Sequence, residues 1–344
     1  MTVDESWMQQ ALEEARQGRG LTSPNPCVGA VIVKDGAMLS RGWHQRAGGP
    51  HAEVEAIRAA ERLLGAGSTE GATIFITLEP CSTHGRTPPC VQALMAGKFA
   101  RVVWGVDDPN PAHAGSAAAV LEAAGISVAR HVLEQECREV IAPFAKFITT
   151  GLPWVIAKAG MSLDGRITRP TGEGPWITSE AARADAMQLR VMTDAIIVGA
   201  GTVRADDPAL TLRGDRIPEG KTQPWRVVLT RSGDLPTAAK VFTDDQRERT
   251  LVFRDQSFAA VLRDLAGRGV VTVLIEGGGK VLAEAFSAGL VDEAVVYIAP
   301  LVSGTGLPVV NGALWRGGSV DMECTDVKRT GPDVRLELRR KAER

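Results

Sequence analysis

The sequence predicts two α/β domains that meet near residues 149–152, on three observations. The chain has 344 residues, which suits two domains of about 150 residues each. Strand and helix patterns alternate along both halves of the chain, as they do in layered α/β folds. A helical segment ends at the stop signals Gly151 and Pro153, and a buried strand follows directly. We therefore expect one domain over residues 1–149 and a second over residues 150–344.

The first half contains helix-period apolar patterns and short β-branched runs bounded by turn residues. The helical patterns lie at residues 5–16, 52–64, 91–96 and 116–124 and within 131–153. The strand patterns lie at residues 30–36, 72–79, 100–106 and 126–130, the first after the turn-rich segment TSPNPCVG. Mixed strands and helices at this spacing predict an α/β layer architecture.

The second half continues the alternation without an internal repeat. Strand patterns lie at residues 154–161, 195–200, 226–230 and 294–300, with a final ribbon near 334–340. Helical patterns lie at residues 181–192 and 258–268. The run VVTVLIEGGGKVLAEAF, residues 270–286, predicts a buried strand that breaks into glycines and then a helix.

Composition excludes several classes of protein. With 39 basic and 41 acidic residues, the net charge of −2 gives no electrostatic footprint for nucleic acid or a membrane surface. No apolar run approaches the roughly 18 residues of a membrane-spanning helix, and the N-terminus lacks the apolar region of a signal peptide. Five cysteines in a chain of this length favour metal or thiol chemistry in a reducing compartment. We therefore expect a cytoplasmic protein.

Three short motifs predict a catalytic zinc site. His51, Cys81 and Cys90 supply one imidazole and two thiolates, which leaves the fourth tetrahedral position for water. Cys90 follows two prolines at a predicted helix start, where the helix dipole and unpaired amides favour a thiolate. Glu53 lies two residues after His51, so it can exchange protons with the activated water without being a ligand. This His-x-Glu and Pro-Cys pattern is the signature of zinc-dependent nucleobase deaminases.

Two details refine the zinc prediction. A purely structural zinc site would need a fourth protein ligand, and no residue lies at a matching spacing; Cys27 and Cys137 are expected to be ordinary buried thiols. Eight residues separate Cys81 from Cys90, whereas nucleic-acid deaminases typically have two. This longer loop carries His84 and Arg86, within reach of an anionic substrate group such as a phosphate.

The second half offers two glycine-rich turns that each follow a predicted strand. In residues 275–280 (IEGGGK) and 199–204 (GAGTVR), glycines would let backbone amides approach a phosphate closely. Neither segment is a dinucleotide-binding fingerprint of the Rossmann type, because the third glycine and the downstream acid are not both present. Taken alone, either segment is equally consistent with a plain turn.

Motifs along nearly the whole chain carry a resemblance to one known family. In the first half these are TSPNPCVGAVIVKDG, GWHQRAGGPHAE, TLEPCSTHGRTPPC and GVDDPNP, and in the second AKAGMSLDGRI, GPWIT, VGAGTVRADDPALTLR and IEGGG. The chain resembles the bifunctional riboflavin-biosynthesis deaminase–reductases. The resemblance implies a cytidine-deaminase-like three-layer domain that binds one zinc ion, followed by a dihydrofolate-reductase-like domain that binds NADPH.

The resemblance also implies two consecutive reactions. The first domain would deaminate 2,5-diamino-6-ribosylamino-4(3H)-pyrimidinone 5′-phosphate at the pyrimidine 2-position. The second would use NADPH to reduce the ribosyl side chain of the product to a ribityl chain. Family members assemble through the reductase domain, so a homo-oligomer, a dimer or a tetramer, is expected, with no nucleic-acid or membrane partner.

Positions that match the family's motifs provide candidate site residues. The deaminase substrate positions are Asn25, His44, His84, Arg86, Asp108 and Asn110. The cofactor positions are Gly160, Trp176, Thr202, Asp206, Arg231, Gly278 and Gly279. The reductase substrate positions are Gly174, Arg190, Leu210, Arg213 and Glu276.

Chemistry supports some of these roles and leaves others open. Guanidinium groups bind phosphate in a bidentate manner, which suits Arg190 and Arg213, although Arg190 would also suit a solvated helix face. Asn25 and Asp108 lie beside prolines and are equally consistent with turn residues. Two polar residues near the first strand of the second domain, Lys158 and Asp164, are candidates for proton delivery.

The chain departs from the family at four places. Glu55 replaces a histidine, and Gly115-Ser116-Ala117 replaces a Gly-x-Gly segment at a helix start. Gly174 replaces a common serine, which leaves only a backbone contact there. Arg231 replaces another serine and would suit either the 2′-phosphate of NADPH or solvent. The departures at Gly174 and Arg231 motivate an alternative, a deaminase with a silent C-terminal domain. A nucleic-acid base deaminase is a second alternative, which the near-neutral charge and the long loop between Cys81 and Cys90 disfavour.

Overall fold

The computed structural model describes residues 1–83, 88–111, 115–312, 315 and 318–341. It divides into two compact units, Met1–Gly151 and Leu152–Arg344. Each unit contains one β-sheet with helices packed against it, as the alternating patterns predict.

The N-terminal unit is built on a five-stranded sheet with the strand order β2-β1-β3-β4-β5. The strands are β1 (Gly29–Lys34), β2 (Ala37–Trp43), β3 (Thr73–Leu78), β4 (Arg101–Val106) and β5 (Ser127–Ala129). β1 pairs antiparallel with β2 and β3, whereas β3, β4 and β5 are parallel. Residues 29–33 of β1 are all buried, so both faces of the sheet are covered.

Among the described residues of this unit, five helices form the outer two layers. They are α1 (Val3–Gln17), α2 (Ala52–Leu64), α3 (Cys90–Ala96), α4 (Ala117–Ala123) and α5 (Glu134–Thr150). α1 begins with a capping box between Thr2 and Glu5 and packs with α5. α2 packs on β1, β2 and α3, and the Ser40 hydroxyl of β2 donates a hydrogen bond to the Ala56 carbonyl at 2.7 Å. The predicted three-layer arrangement is confirmed.

The hairpin of β1 and β2 corrects the predicted strand over residues 30–36. β1 ends at Lys34, and Asp35 and Gly36 form the turn with φ values of 50° and 76°. An Asp-Gly pair with positive φ at both residues is typical of a two-residue hairpin turn. The returning strand β2 was not predicted, because its burial pattern is irregular and includes exposed residues such as Arg41.

The C-terminal unit is built on an eight-stranded sheet with the order β12-β13-β11-β6-β10-β7-β8-β9. The strands are β6 (Trp154–Ser162), β7 (Ala195–Gly199), β8 (Trp225–Thr230), β9 (Thr250–Arg254), β10 (Thr272–Ile275), β11 (Glu293–Ala299), β12 (Met322–Thr330) and β13 (Asp333–Arg340). The six strands from β11 to β9 are parallel, and β13 and β12 extend the sheet antiparallel at the β11 edge. The predicted final ribbon is therefore a hairpin.

Helices and three apolar clusters cover this sheet. The helices are α6 (Glu180–Val191), α7 (Ala200–Asp206), α8 (Lys240–Thr243), a 3-10 helix (Arg247–Arg249), α9 (Phe258–Gly267) and α10 (Gly279–Ser287). The largest cluster includes Val155, Ile197 and Val273 of three adjacent strands together with Phe258 and Leu282 of α9 and α10. Parallel strands that are buried on both faces carry continuous apolar runs, which explains why β7, β8 and β10 were readily predicted.

Parallel strands place their carboxyl ends at one edge of the sheet, where α/β proteins bind ligands. β6, β10 and β7 are neighbours, so the residues after β10 and β7 lie at the same edge. One of the two predicted glycine turns, residues 199–204, proves to be the last residue of β7 and the first turns of α7. Within the described residues, no helix combines the length and the apolar character needed to cross a membrane.

Candidate active sites

The three predicted metal ligands converge at one point of the N-terminal unit. His51 is the N-cap residue of α2, Cys90 is the first residue of α3, and Cys81 follows β3. Nδ1 of His51 lies 3.1 Å from Sγ of Cys90 and 3.6 Å from Sγ of Cys81. The donor atoms all lie within 4.8 Å of one another, and this is the only such group of three or more among the described residues. One nitrogen and two sulfurs at this separation fit a tetrahedral zinc ion with an open fourth position.

Hydrogen bonds within this triad organise its charge. The hydrogen bond from the Cys90 thiol, followed by that from His51, lowers the pKa of Cys81 to about 4. The pKa of Cys90 is raised by its hydrogen bond to Cys81 and by burial. The backbone N–H of Cys90 also donates to Sγ of Cys81, at 3.3 Å. The negative charge therefore lies on Cys81, to which the Cys90 thiol donates, and two sulfur donors beside an imidazole suit a cation such as zinc.

Glu53 lies beside the triad in the first turn of α2. The residue is only 3% exposed, and burial raises the pKa of its carboxyl group. The Glu53 carboxyl group and the Cys90 thiol also affect each other: Cys90 lowers the pKa of Glu53, and Glu53 raises the pKa of Cys90. A carboxyl group whose pKa is raised is protonated more readily, which favours the exchange of protons that an acid–base catalyst carries out.

His44 and Asn25 form a second layer around His51. The His44 ring lies edge-to-face against the His51 ring, with 5.3 Å between centroids. Its Nδ1 donates to the Pro50 carbonyl at 2.8 Å, which leaves Nε2 as an acceptor for the Asn25 amide at 3.1 Å. Burial lowers the pKa of His44, so the ring is neutral at neutral pH. The Asn25 backbone N–H donates to the Thr22 carbonyl at 2.8 Å, so Asn25 is a turn residue whose side chain also reaches the site.

Glu79 is a buried carboxylate that the sequence analysis did not identify. It lies directly after β3 and before Pro80, and it is 3% exposed. Its two oxygens accept hydrogen bonds from the backbone N–H groups of Asp108 at 3.1 Å, Gly115 at 3.0 and 3.1 Å, and Ala117 at 3.3 Å. Glu79 thereby ties the loop after β4 and the start of α4 to the segment that carries Cys81. The sequence does contain a signal for Glu79: an acidic residue at the end of a buried strand needs hydrogen-bond partners.

Asp108 acts as a turn residue in this loop. Its Oδ1 accepts a hydrogen bond from the backbone N–H of Asn110 at 2.8 Å, in an Asx-type turn. The predicted substrate residues His84 and Arg86 lie outside the described residues. The Ser82 hydroxyl is hydrogen bonded to the Ser116 hydroxyl. Ser116 belongs to the segment 115–117 that differs from the family pattern, so this segment faces the loop that carries Cys81.

Glu55, Cys27 and Cys137 are not among the three grouped metal donors. Glu55 is half-buried in the first turn of α2 and is not one of the three grouped donors. Cys137 is fully buried, and burial raises the pKa of its thiol to about 12, as expected for an inert core residue. Cys27 is half-buried, and its Sγ lies 3.5 Å from the Thr22 hydroxyl.

In the C-terminal unit, a buried ion pair lies at the carboxyl edge of the sheet. Arg190 donates to both carboxylate oxygens of Glu276, at 2.5 and 2.7 Å, and its third nitrogen donates to the Thr211 carbonyl at 3.1 Å. The side chains are 13% and 10% exposed, so the predicted alternative of a solvated helix face for Arg190 is wrong. Because two guanidinium nitrogens bind Glu276 and the third binds the Thr211 carbonyl, Arg190 orients the Glu276 carboxylate.

Lys158 lies at the same level of the sheet as Glu276. Ala157 of β6 pairs with Ile275 of β10, so Lys158 and Glu276 are the next residues along two parallel strands. Burial lowers the pKa of Lys158, while the charge of Glu276 acts in the opposite direction. Arg190, Lys158 and the exposed Arg213 all lower the pKa of Glu276, against the effect of burial. Three cations around one carboxylate leave a net positive charge, which suits a phosphorylated substrate.

The glycine segment after β10 and the start of α7 form a cradle of backbone amides. Gly278 is the N-cap residue of α10 and Gly199 is the N-cap residue of α7. A Cβ atom on Gly278 would lie 3.5 Å from the Thr202 hydroxyl, and one on Gly279 only 2.6 Å from the Pro308 carbonyl. Only glycine therefore fits at residue 279. Two adjacent helix N-termini with a threonine hydroxyl between them suit a diphosphate.

Five other predicted reductase residues differ in their exposure and in the part of the chain, strand, helix or loop, to which they belong. Gly160 lies in β6 opposite Tyr297, and Leu210 is 2% exposed with its side chain in the core, so only its backbone is available to substrate. Trp176 is 60% exposed, with the Arg183 guanidinium 4.6 Å from its ring centre. Gly174 has φ 93°, a conformation that favours glycine over the serine of the family. Asp206 is the last residue of α7 and is exposed.

The surroundings of Asp164 do not favour the predicted role in proton delivery. It accepts hydrogen bonds from the Ser162 hydroxyl at 2.6 Å and from the backbone N–H groups of Ser303 and Gly304 at 2.9 and 2.8 Å. These bonds lower its pKa to about 2. A carboxyl group that is ionised throughout the neutral range does not donate protons there, so Asp164 is better suited to anchoring the loop at residues 301–304.

Two family models match the chain. Residues 1–106 match the cytidine and deoxycytidylate deaminase zinc-binding region, and residues 153–336 match the RibD C-terminal domain. The second match covers more than half of the chain. A base deaminase that acts on nucleic acid does not account for that match.

Curated relatives and solved structures extend over nearly the whole chain. The riboflavin biosynthesis protein RibD of Bacillus amyloliquefaciens is 40% identical, over 97% of this chain and 95% of its own. That of Escherichia coli strain K12 is 38% identical, over 97% and 99%. The structure of Acinetobacter baumannii RibD is 36% identical with a TM-score of 0.88, covering 99% of each chain. A Thermotoga maritima deaminase/reductase is 34% identical with a TM-score of 0.88, over 98% and 99%. The predicted fold of both domains is confirmed.

Proposed function

This chain belongs to the RibD family of riboflavin-biosynthesis proteins, and on that premise we propose a role for each residue of its two sites. It is a bifunctional enzyme, a zinc-dependent deaminase in the N-terminal domain and an NADPH-dependent reductase in the C-terminal domain. The observation that carries the residue roles is the donor triad of His51, Cys81 and Cys90 with the buried carboxyl group of Glu53 beside it.

The Thermotoga maritima relative supplies the substrate class. Its name describes a diaminohydroxyphosphoribosylaminopyrimidine deaminase and a 5-amino-6-(5-phosphoribosylamino)uracil reductase. For this chain the substrate is 2,5-diamino-6-ribosylamino-4(3H)-pyrimidinone 5′-phosphate, which loses the amino group at the pyrimidine 2-position. The deaminated product is the reductase substrate, and its ribosyl chain becomes a ribityl chain.

In the deaminase site, zinc held by His51, Cys81 and Cys90 supplies a Lewis acid that lowers the pKa of water to about 7. Glu53 accepts the proton of the attacking water and delivers it to the ring nitrogen next to the reacting carbon. It then carries the second proton to the leaving amino group, so water and the amine are exchanged for a carbonyl and ammonia. The raised pKa of Glu53 supports this shuttle because its protonated form is easier to reach than that of an ordinary carboxyl group.

Substrate positioning falls to the second layer. Neutral His44 accepts a hydrogen bond from the Asn25 amide beside His51, and this bond orients the Asn25 side chain for substrate. Asn110 and the loop that Asp108 shapes are the proposed contacts on the other side of the pocket. His84 and Arg86 are the proposed phosphate contacts, from their place between the two cysteine ligands.

In the reductase site, bound NADPH supplies the hydride that reaches the sugar carbon attached to nitrogen. Thr202, Asp206, Gly278 and Gly279 hold the cofactor with Gly160 and Trp176. Lys158 provides the proton that accompanies the hydride as the sugar ring opens, since burial lowers its pKa and makes proton release easier. Arg190 orients Glu276 toward the sugar hydroxyls, and Arg213, with the backbone of Leu210 and Gly174, binds the phosphate end.

Two activities measured on one preparation test these roles. Glu53→Gln should lose ammonia release from the diamino substrate and keep NADPH oxidation with pre-deaminated substrate. Lys158→Met should show the opposite pattern. A C-terminal domain that oxidises no NADPH with deaminated substrate would remove the reductase roles and leave the deaminase roles untouched.

We also propose a homo-oligomer, a dimer or a tetramer, in the cytoplasm. The support is the resemblance together with two exposed apolar side chains after β11, Val302 at 69% and Leu307 at 60%. Light scattering coupled to gel filtration tests the assembly, because a monomer at micromolar concentration would contradict it.

A further inference from the structure

The backbone of the segment 209–213 in the reductase domain is held by side chains from other elements. Nη1 of Arg226 in β8 donates a hydrogen bond to the Ala209 carbonyl at 3.0 Å. Nη1 of Arg190 in α6 donates to the Thr211 carbonyl at 3.1 Å. The two arginine side chains are only 1% and 13% exposed, so these bonds are shielded from water. Two carbonyls of the segment are therefore fixed by largely buried guanidinium groups.

Gln223 holds the next residue of the segment, Leu212, through both of its backbone groups. Oε1 of Gln223 accepts a hydrogen bond from the Leu212 N–H at 2.7 Å, and Nε2 of Gln223 donates to the Leu212 carbonyl at 3.3 Å. A side-chain amide thereby makes the pair of hydrogen bonds that a residue of a neighbouring strand would make. Pro224 follows and favours an extended backbone at Gln223, directly before β8 begins at Trp225. Gln223 therefore joins the segment 209–213 to the start of β8.

The segment 209–213 has a backbone conformation that an unsupported chain would avoid. Leu210 has a φ of 51°, in the left-handed region that a bulky side chain rarely adopts. Leu210 and Leu212 are 2% and 4% exposed, whereas Arg213 is exposed. Because a strained backbone persists only where its surroundings determine it, the buried leucines and the hydrogen bonds to the segment together maintain this conformation. The result is an exposed arginine on a backbone that is fixed immediately before it.

The Leu212 carbonyl belongs to the peptide bond that joins Leu212 to Arg213, the proposed contact for the substrate phosphate. A peptide bond is planar, so the hydrogen bond from Gln223 to this carbonyl fixes the plane from which Arg213 continues. Sequence patterns did not identify Gln223, because its partner lies 11 residues away along the chain.

We propose that Gln223 is a positioning residue that holds Arg213 toward the substrate phosphate and thereby sets the preference of the reductase for a phosphorylated substrate. The proposal rests on the proposed roles of Arg213 and the Leu210 backbone, and it deepens them by naming the residue that places them. An amide that only stabilised the loop would change the unfolding temperature and leave the preference for phosphate unchanged.

Reduction of the deaminated substrate with and without its 5′-phosphate, by the full-length enzyme, tests the proposal. Gln223→Met keeps the approximate length of the side chain and removes both hydrogen-bonding groups. The ratio of kcat/KM for the phosphorylated substrate to that for the dephosphorylated one should fall about threefold to thirtyfold, because a displaced Arg213 loses part of a charge-assisted contact. The fall should arise from KM for the phosphorylated substrate, with kcat and KM for NADPH within about twofold of the parent values.

Two further variants separate positioning from folding. Gln223→Asn is one methylene shorter, so it cannot reach both groups of Leu212, and it should lower the ratio in the same direction with a smaller effect on folding. Gln246→Met is the matched control, since the bonds of Gln246 to Asp244 and Arg249 use its backbone, and it should keep the parent ratio. Titration with NADPH reports an intact reductase domain for each variant without turnover.

The outcomes distinguish this proposal from the proposed function. Parent ratios in Gln223→Met and Gln223→Asn overturn the proposal, and so do equal losses with both substrates, which indicate a general structural role. Adding Gln223→Met to Arg213→Ala should lower the ratio no further than Arg213→Ala alone, because both changes remove the same contact; additive losses overturn the proposal. An Arg213→Ala enzyme with the parent ratio would instead remove the phosphate role of Arg213 from the proposed function.

Discussion

Replacing Glu79 with glutamine removes one negative charge from the carboxylate that ties the Asp108 loop to the zinc segment. The carboxylate accepts hydrogen bonds from three backbone N–H groups, those of Asp108, Gly115 and Ala117. Glutamine keeps one acceptor oxygen and places an amide NH2 group, which can only donate, where the other oxygen was. If the oxygen stays toward Gly115 and Ala117, the Asp108 N–H faces a donor and loses its partner.

The magnitude follows from the loss of charge and of one bond. Hydrogen bonds to a charged group contribute about 1.5–3 kcal/mol and neutral ones about 1 kcal/mol, so the lost bond and the two weakened ones together cost roughly 3–5 kcal/mol. For a domain of about 150 residues, 1 kcal/mol corresponds to about 2–4 °C in Tm. We therefore expect the unfolding transition of the N-terminal domain to fall by about 6–20 °C, and deaminase kcat/KM to fall about tenfold or more.

The assay pairs thermal unfolding with ammonia release, zinc analysis and NADPH oxidation on deaminated substrate. Zinc content and NADPH oxidation should stay at parent values, because the Glu79 carboxylate bonds to backbone N–H groups of the Asp108 loop and α4 and not to a metal ligand. Glu70→Gln is the matched control, since Glu70 forms only an exposed pair with Lys98 at 3.1 Å and such pairs contribute about 0–1 kcal/mol. A Glu79→Gln enzyme within 2 °C and twofold of the parent would refute the reasoning.

Four other changes have defined outcomes. Glu53→Gln should reduce ammonia release by about a hundredfold to ten-thousandfold with zinc retained; a loss below tenfold contradicts the proton shuttle. Cys81→Ser should lower zinc well below one ion per chain by elemental analysis, and full metal content with full rate would show that Cys81 is not a ligand. With Lys158 as proton donor, the reductase rate should fall as pH rises through its pKa, which burial sets below the ordinary lysine value; the residual rate of Lys158→Met should be flat over that range. Arg213→Ala should raise the reductase KM more than it lowers kcat, as expected for a lost phosphate contact, and a kcat effect alone would contradict this role.

Local patterns predicted the zinc triad and most of the fold. His51, Cys81 and Cys90 each lie in a short motif with a proline beside them, so their chemistry is readable without knowing what they contact. Likewise, β7, β8 and β10 are buried on both faces and carry continuous apolar runs. β2 was missed because its residues are only partly buried.

Residues whose roles depend on distant partners could not be predicted. Glu79 acts through N–H groups 29–38 residues away, and Arg190 pairs with Glu276 across 86 residues. From the sequence, Arg190 had the features of a phosphate-binding residue or a solvated helix residue, and neither pattern indicates a buried carboxylate partner. Asp164 likewise had the features of a proton donor until its hydrogen bonds to Ser303 and Gly304 were known.

The zinc K-edge absorption spectrum of the purified full-length protein tests the central claim most directly. One ion per chain with two sulfur neighbours at about 2.3 Å and two nitrogen or oxygen neighbours at about 2.0 Å is expected for His51, Cys81, Cys90 and one water. Loss of one sulfur neighbour or of the ion in Cys90→Ser would agree with this assignment. Three or more sulfur neighbours, or a protein that binds no zinc, would contradict it.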